Sequence, residues 1–172
     1  MIISQTQGGI TMQAIAKFEK VSFNQYQQDQ ENAEMYYETI KLPKRATIGS
    51  AGYDFYMPYD LVLEPGQTAK IPTGIRARID NGWVLCLFPR SGLGFKYRLQ
   101  LNNTVGVIDA DYYGSSNEGH IFAKITNDSN EGKVLELKQG EGFMQGIFLP
   151  FGITEDDDTN EIRNGGFGST TK

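Results

Sequence analysis

Pro72-Thr73-Gly74-Ile75-Arg76-Ala77-Arg78-Ile79-Asp80-Asn81-Gly82-Trp83-Val84-Leu85-Cys86-Leu87-Phe88 holds two turn signals and two strands. Ile75 to Ile79 alternates apolar and polar with a period of two. Between Asp80-Asn81-Gly82 and the next turn runs an unbroken apolar stretch from Trp83 to Phe88. The pattern repeats outward, with Gly66 punctuating the chain before this stretch and Ile121-Phe122-Ala123-Lys124-Ile125 forming another compact strand-like run after it. Helix-period patterns are nearly absent. Short strands at this spacing, rich in Gly and in β-branched or aromatic residues, predict an all-β sandwich or barrel. The 172 residues fit one domain and show no internal repeat.

Composition narrows the chemistry. A formal net charge of −5 argues against a protein built to coat nucleic acid or an anionic membrane. Cys86 is the single cysteine, so no intrachain disulfide forms, and its place in an apolar run predicts a buried, inert thiol. His120 is the single histidine, which excludes a histidine-rich metal cluster and leaves His120 with no nucleophile to serve. Without a membrane-length apolar run or a secretory leader pattern, a cytoplasmic protein is expected. Carboxylates, hydroxyls, amides and arginines are left to carry the function.

The chain divides into three parts. Residues 1–11 read as an unstructured leader containing Gly8-Gly9, and Met12 is a second candidate initiator. Residues 12–150 form the β domain, with an opening strand before Phe23 and a polar insertion at 24–37 that reads as a surface loop or a short helix. Residues 151–172 hold the acidic run Glu155-Asp156-Asp157-Asp158, a solvated linker or a metal loop, and then a Gly-rich flexible arm.

Several constellations carry chemistry. Asn103-Thr104-Val105-Gly106-Val107-Ile108-Asp109-Ala110-Asp111-Tyr112-Tyr113-Gly114 delivers acids and aromatics onto a turn, as a general base beside a ring surface or as a strand ending in a polar hairpin. Pro89-Arg90-Ser91-Gly92-Leu93-Gly94 follows an apolar strand with an arginine fork, a hydroxyl and Gly-freed amides, a phosphate cradle or an ordinary turn with a salt bridge. No Lys-Ser or Lys-Thr follows the glycines, so it is not a Walker A loop. Ala51-Gly52-Tyr53-Asp54 and Gly142-Phe143-Met144-Gln145 add an acid and an amide within strands. Arg163 and Gly166-Phe167-Gly168-Ser169-Thr170 add a cation, hydroxyls and one aromatic with no core to join.

Taken in order, from Leu42 onward, these blocks resemble the motifs of the trimeric dUTP pyrophosphatase (dUTPase) family. The resemblance implies a jelly-roll protomer, a homotrimer with composite active sites, and Mg²⁺-dependent cleavage of dUTP to dUMP and pyrophosphate. Asp109 would be the general base for water attack on the α-phosphorus, with Gln145 holding that water or the α-phosphate. Arg90, Ser91 and Gly92 would contact the α- and β-phosphates. Arg163, Gly168, Ser169 and Thr170 would close over the γ-phosphate while Phe167 stacks on uracil. Mg²⁺ would ride on the triphosphate, with Asp54 reaching it through water.

The family reads its base with a hairpin, here from Leu101 through Asn103, Gly106, Val107 and Ile108, while Tyr112 would pack under the deoxyribose and exclude a ribose. Departures are the short spacing from Arg163 to Phe167, Thr171 where glycine is usual, and Gly94 and Met144 where alanine is common. The insertion at 24–37 is extra to the minimal domain and offers a surface to a regulatory partner. Alternatives are a dUTPase-like nucleotide-gated binding module and, further behind, a dCTP deaminase.

Overall fold

The computed structural model describes residues 4–7, 10–161 and 163. Its frame is a five-stranded antiparallel sheet in the spatial order Gly106–Ile108, Trp83–Pro89, Gly142–Pro150, Tyr53–Tyr56 and Lys44–Arg45. A second sheet joins Gln100–Leu101, Phe122–Thr126 and Thr68–Pro72. Two strand pairs, Leu61–Leu63 with Leu135–Leu137 and Ala16–Lys20 with Ile75–Ile79, complete a jelly-roll-like β fold in which the chain crosses repeatedly between sheets.

Alternation places the core. Ile75, Ala77 and Ile79 are buried while Arg76 and Arg78 turn outward. Along Trp83–Pro89, Leu85 and Leu87 are buried and meet Phe55, Phe143 and Met144 in one contiguous core. Burying each such large apolar side chain contributes about 1.5–3 kcal/mol. Cys86 points the other way and is half-buried, not the buried thiol expected from its apolar neighbours, because a period of two assigns it to the outer face.

Two expectations about the amino-terminal part need correction. Ser4–Gln7 and Ile10–Gln13 pair antiparallel, where no structure was expected before Met12. The Gly8-Gly9 between them in the sequence is itself a two-residue hairpin signal. The polar insertion at 24–37 forms helices Phe23–Asp29 and Ala33–Tyr36 and a 3₁₀ turn Tyr37–Thr39, and it is not a surface loop. Tyr26 has no exposed surface and Ala33 has 2%. The reason lies in the spacing: Ala33, Tyr36, Tyr37 and Ile40 recur at i, i+3, i+4 and i+7, a helical apolar face diluted by glutamines and glutamates.

His120 ties that insertion to the sheets. The Gly74 N–H donates to His120 Nε2 at 2.8 Å, so Nε2 is the unprotonated nitrogen, and Nδ1–H donates to Asp29 Oδ2 at 2.6 Å. Gly74 has φ +73°, and a Cβ there would lie 2.3 Å from Ile40 Cδ1, so no other residue fits this turn. Burial pushes the His120 imidazole below its ordinary value of 6.5, against the opposing pull of Asp29 and Glu118, while Lys70 adds to the depression.

The unfolded chain therefore takes up the proton first. Stability is fully present above about pH 6.5 and falls as the pH drops toward the folded-state value, with a limiting slope of about 1.4 kcal/mol per pH unit for one proton. Urea unfolding at pH 7.5, 6.5 and 5.5 checks this, and His120→Asn is expected to flatten the part of the slope that His120 carries.

Candidate active site

One cluster sits where Trp83–Pro89 ends. Arg90 is extended (φ −68°, ψ 137°) and caps the short helix Ser91–Tyr97, accepting the N–H groups of Leu93 and Gly94 on its carbonyl at 3.1 and 2.9 Å. The amides of Ser91 and Gly92, at the start of that helix, have no carbonyl within it to reach. Helix-period reading missed this element because two glycines and few apolar residues occupy it. Arg90 Nη1 donates to the Gly142 carbonyl at 3.2 Å, and its Nε lies 3.3 Å from Asp54 Oδ1. A cavity of about 360 Å³ is lined by Arg90, Ser91, Gly92, Leu93 and, across it, Glu141 and Gly142.

Gln145 belongs to the same cluster. It stands opposite Asp54 on one side and Phe88 on the other, half-buried, on the face that alternates with buried Phe143. A Cβ on Gly52 would lie 2.5 Å from Gln145 Oε1, so the amide rests against bare backbone. Gly52 is what leaves room for it. Asp54, Arg90, Ser91, Gly92 and Gln145 are thus brought to one end of the sheet, as the sequence reading expects.

A second cluster follows the strand Gly106–Ile108. Asp109 continues the extended backbone (φ −77°, ψ 157°) and caps the 3₁₀ turn Ala110–Gly114. Arg163 Nη2 donates to Asp109 Oδ2 at 2.6 Å, and its Nε lies 3.0 Å from Asp111 Oδ1. Its guanidinium carbon is 5.7 Å from the centre of the Tyr112 ring. Arg163 thus sits on the carboxylates and the aromatic of this turn. Tyr112 is 3% exposed and lies in the core, with its hydroxyl donating to the His120 carbonyl at 2.7 Å and accepting from Asn117 Nδ2 at 2.8 Å. Burial raises its phenol above the usual range.

Between the clusters lies the turn that reads as a base-recognition hairpin. Its arms do not pair with each other. Gln100–Leu101 pairs with Phe122–Thr126, and Gly106–Ile108 pairs with Trp83–Pro89, so the turn is a corner between two sheets. Thr104 N–H donates to the Leu101 carbonyl at 2.8 Å, and Thr104 adopts φ +65°. Asn103 is exposed, Val107 is exposed, and Gly106 and Ile108 are buried against the core. Alternating hydropathy sees both strands but not which neighbour each one chooses.

Register separates the clusters within one chain. Ile108 faces Leu85, so Asp109 falls beside Val84, whereas Arg90 is six residues further along the same strand. At about 3.4 Å per residue that is on the order of 20 Å. Gln145, opposite Phe88, is on the order of 14 Å along the strand from the Asp109 level. Phe167, Gly168, Ser169 and Thr170 lie outside the described residues. Among the described residues no group of three or more His, Cys, Asp or Glu could hold a metal ion, and the acidic run of the linker is exposed. No described helix is long and apolar enough to cross a membrane.

The family model described as dUTPase matches residues 38–171. The chain belongs to the dUTPase family. Among its dUTPase relatives, the deoxyuridine 5'-triphosphate nucleotidohydrolase of Lactococcus lactis is 44% identical over 134 residues, covering 76% of this chain and 88% of the relative. The crystal structure of a dUTPase from Streptococcus mutans superposes with a TM-score of 0.63 at 38% identity, covering 80% of this chain and 98% of that one. A mutant dUTPase from phage phi11 of S. aureus, described as coordinating a structural Mg(II) ion, shares the fold at a TM-score of 0.63 and 22% identity, covering 86% of this chain and 98% of that one. The dUTPase match begins after the helices Phe23–Asp29 and Ala33–Tyr36, which lie outside it.

Proposed function

We propose that the chain hydrolyses dUTP to dUMP and pyrophosphate in a site assembled from more than one copy of the chain. The observation that carries the composite site is the strand register, which holds Asp109 and Tyr112 at one end of Trp83–Pro89 and the Arg90 and Gln145 cluster at the other. A second copy brings the Asp109 turn of one chain to the Arg90 cradle of its neighbour. The outer face of the five-stranded sheet supports such a neighbour. Val107, Cys86 and Ile147 stand in one cross-strand row on it, with Leu149 beyond, half-buried to exposed. A closed ring of three is the assembly that fits a repeated, non-self-complementary contact.

In this reading Asp109 accepts the proton of a water as its oxygen attacks the α-phosphorus, and the bond to the bridging oxygen breaks to release pyrophosphate. An ionised carboxylate is a weak base near neutrality, so alignment and charge neutralisation supply most of the rate. Gln145, held over Gly52, orients the water or the α-phosphate. Arg90, Ser91 and Gly92 take the α- and β-phosphates, while Arg163, Gly168, Ser169 and Thr170 take the γ-phosphate and Phe167 stacks on uracil. The corner at Asn103, Gly106, Val107 and Ile108 reads the base, and Tyr112 meets the sugar. The donor set fits Mg²⁺ carried by the triphosphate and touched through water by Asp54, since no protein cage for it is formed among the described residues. When bound, the ion neutralises phosphate charge.

Mixed assemblies test the reading. Wild type is expected to release pyrophosphate from dUTP, and no release would overturn the activity. Asp109→Asn and Arg90→Ala are each expected to be nearly inactive alone. Co-expressed in equal amounts, they are expected to regain about a quarter of wild-type activity, because random assembly pairs an intact Asp109 with a neighbour's intact Arg90 at that frequency. No recovery would overturn the composite site.

A further inference from the structure

We propose that Asp29 and His120 are positioning residues for Tyr112, so that the helix Phe23–Asp29, outside the family match, helps to set the geometry of the site turn. This rests on the reading that Tyr112 meets the sugar of dUTP.

The argument starts at the phenol. Tyr112 has one donor to give, and it goes to the His120 carbonyl at 2.7 Å. Wherever residue 120 sits, the ring of Tyr112 follows. His120 is itself held at three points: its N–H donates to the Asn117 carbonyl at 3.1 Å, Nε2 accepts from Gly74 at 2.8 Å, and Nδ1 donates to Asp29 at 2.6 Å. Phe122 packs against the imidazole at 4.4 Å between centroids. With no exposed surface, the ring has no water to replace a lost partner.

Asp29 is in turn oriented rather than free. The same Oδ2 that takes the His120 proton accepts from Gln25 Nε2 at 2.8 Å, one turn earlier on the helix. The helix start is moored beside the site turn, since the N–H and Oγ of Ser22 donate to the Glu118 carboxylate at 2.7 and 2.6 Å. On the other side, the Tyr113 hydroxyl donates to Glu19 at 2.6 Å, and Arg76 donates to the Tyr113 carbonyl at 2.9 Å. The turn is therefore braced by segments that precede residue 38. A buried hydrogen-bonded carboxylate and imidazole add little net stability compared with an apolar pair, but they fix direction.

One oxygen of Asp29 makes both bonds, so the amide oxygen supplied by Asp29→Asn can accept them in its place, whereas Asp29→Ala leaves no acceptor. The experiment compares the two substitutions in the full-length chain by amide hydrogen exchange in the turn and by the ratio of kcat/KM for dUTP over UTP. Asp29→Ala is expected to speed exchange at Tyr112 and Ser115, whose N–H groups close the turn, and to lower the dUTP to UTP ratio about tenfold. Asp29→Asn is expected to stay within about twofold of wild type in both. Wild-type exchange and selectivity in a folded Asp29→Ala would overturn the inference.

Should Asp29→Ala fail to fold, Gln25→Ala carries the test. It leaves the His120 bond but frees Asp29, with an expected loss of selectivity of about threefold. Gln25→Ala with unchanged turn exchange and ratio would equally overturn the positioning role. A wild type that turns over no dUTP would refute the proposed function instead, and the exchange result would still decide the positioning.

Discussion

Asp109→Asn is expected to lower kcat for dUTP hydrolysis about 10³-fold while leaving KM within a few-fold. The substitution keeps the shape of the side chain and removes its ability to take a proton. Asp109 is set by backbone, as the extended cap of the turn Ala110–Gly114, and an amide there accepts the Arg163 hydrogen bond on its oxygen as the carboxylate does. The turn should therefore persist, with Tyr112 still anchored on the His120 carbonyl. Steady-state pyrophosphate release with matched dUTP binding measures the two parameters separately. A loss confined to KM would reassign Asp109 from the chemical step to substrate binding.

How much of this was legible in the sequence depends on what each residue's signal measures. The strand Ile75–Ile79 is written in its alternation, and Trp83–Pro89 in an apolar run bounded by turn residues, so the all-β class follows from local pattern. The Arg90 turn and the Asp109 turn are each contiguous and keep their chemistry visible. The on-the-order-of-20 Å separation between them along one strand is set by pairing register. Register depends on which strands meet, and alternation does not encode that.

The helices Phe23–Asp29 and Ala33–Tyr36 were hidden for a different reason. Their apolar face is built largely from tyrosines and an alanine among glutamines and glutamates, so average hydropathy reads as surface while the i, i+3, i+4, i+7 spacing reads as core. The sequence likewise left His120 without a task, because its partner Asp29 lies ninety-one positions away. The search for a catalytic pairing was the wrong question for a residue that orients its neighbours. Tyr112 carries the same lesson in reverse: an aromatic beside two acids invites a ligand-facing reading, yet most of its surface is spent on the core.

Removing residues 163–172 is expected to lower kcat/KM for dUTP by about 10³-fold or more while leaving the β domain folded. Arg163→Ala alone is expected to cost about 10²-fold. In the described structure Arg163 spans the Asp109 and Asp111 carboxylates and lies over Tyr112, so the substrate-free chain already directs it to the site turn. An incoming triphosphate offers more negative charge than two carboxylates, one of which is about half exposed and the other slightly more. A guanidinium can exchange one set of oxygens for the other with little loss of hydrogen bonding.

That exchange frees Asp109 to face water at the moment the phosphates are gripped. Arg163→Lys should recover little, since an ammonium lacks the planar fork that spans two oxygens. Kinetics of the deletion, Arg163→Ala and Arg163→Lys, beside far-ultraviolet circular dichroism and thermal melts, test the order of these effects. A deletion that melts with the wild type yet hydrolyses dUTP at the wild-type rate would remove the arm from the reaction. A fully active Arg163→Lys would show that charge alone suffices.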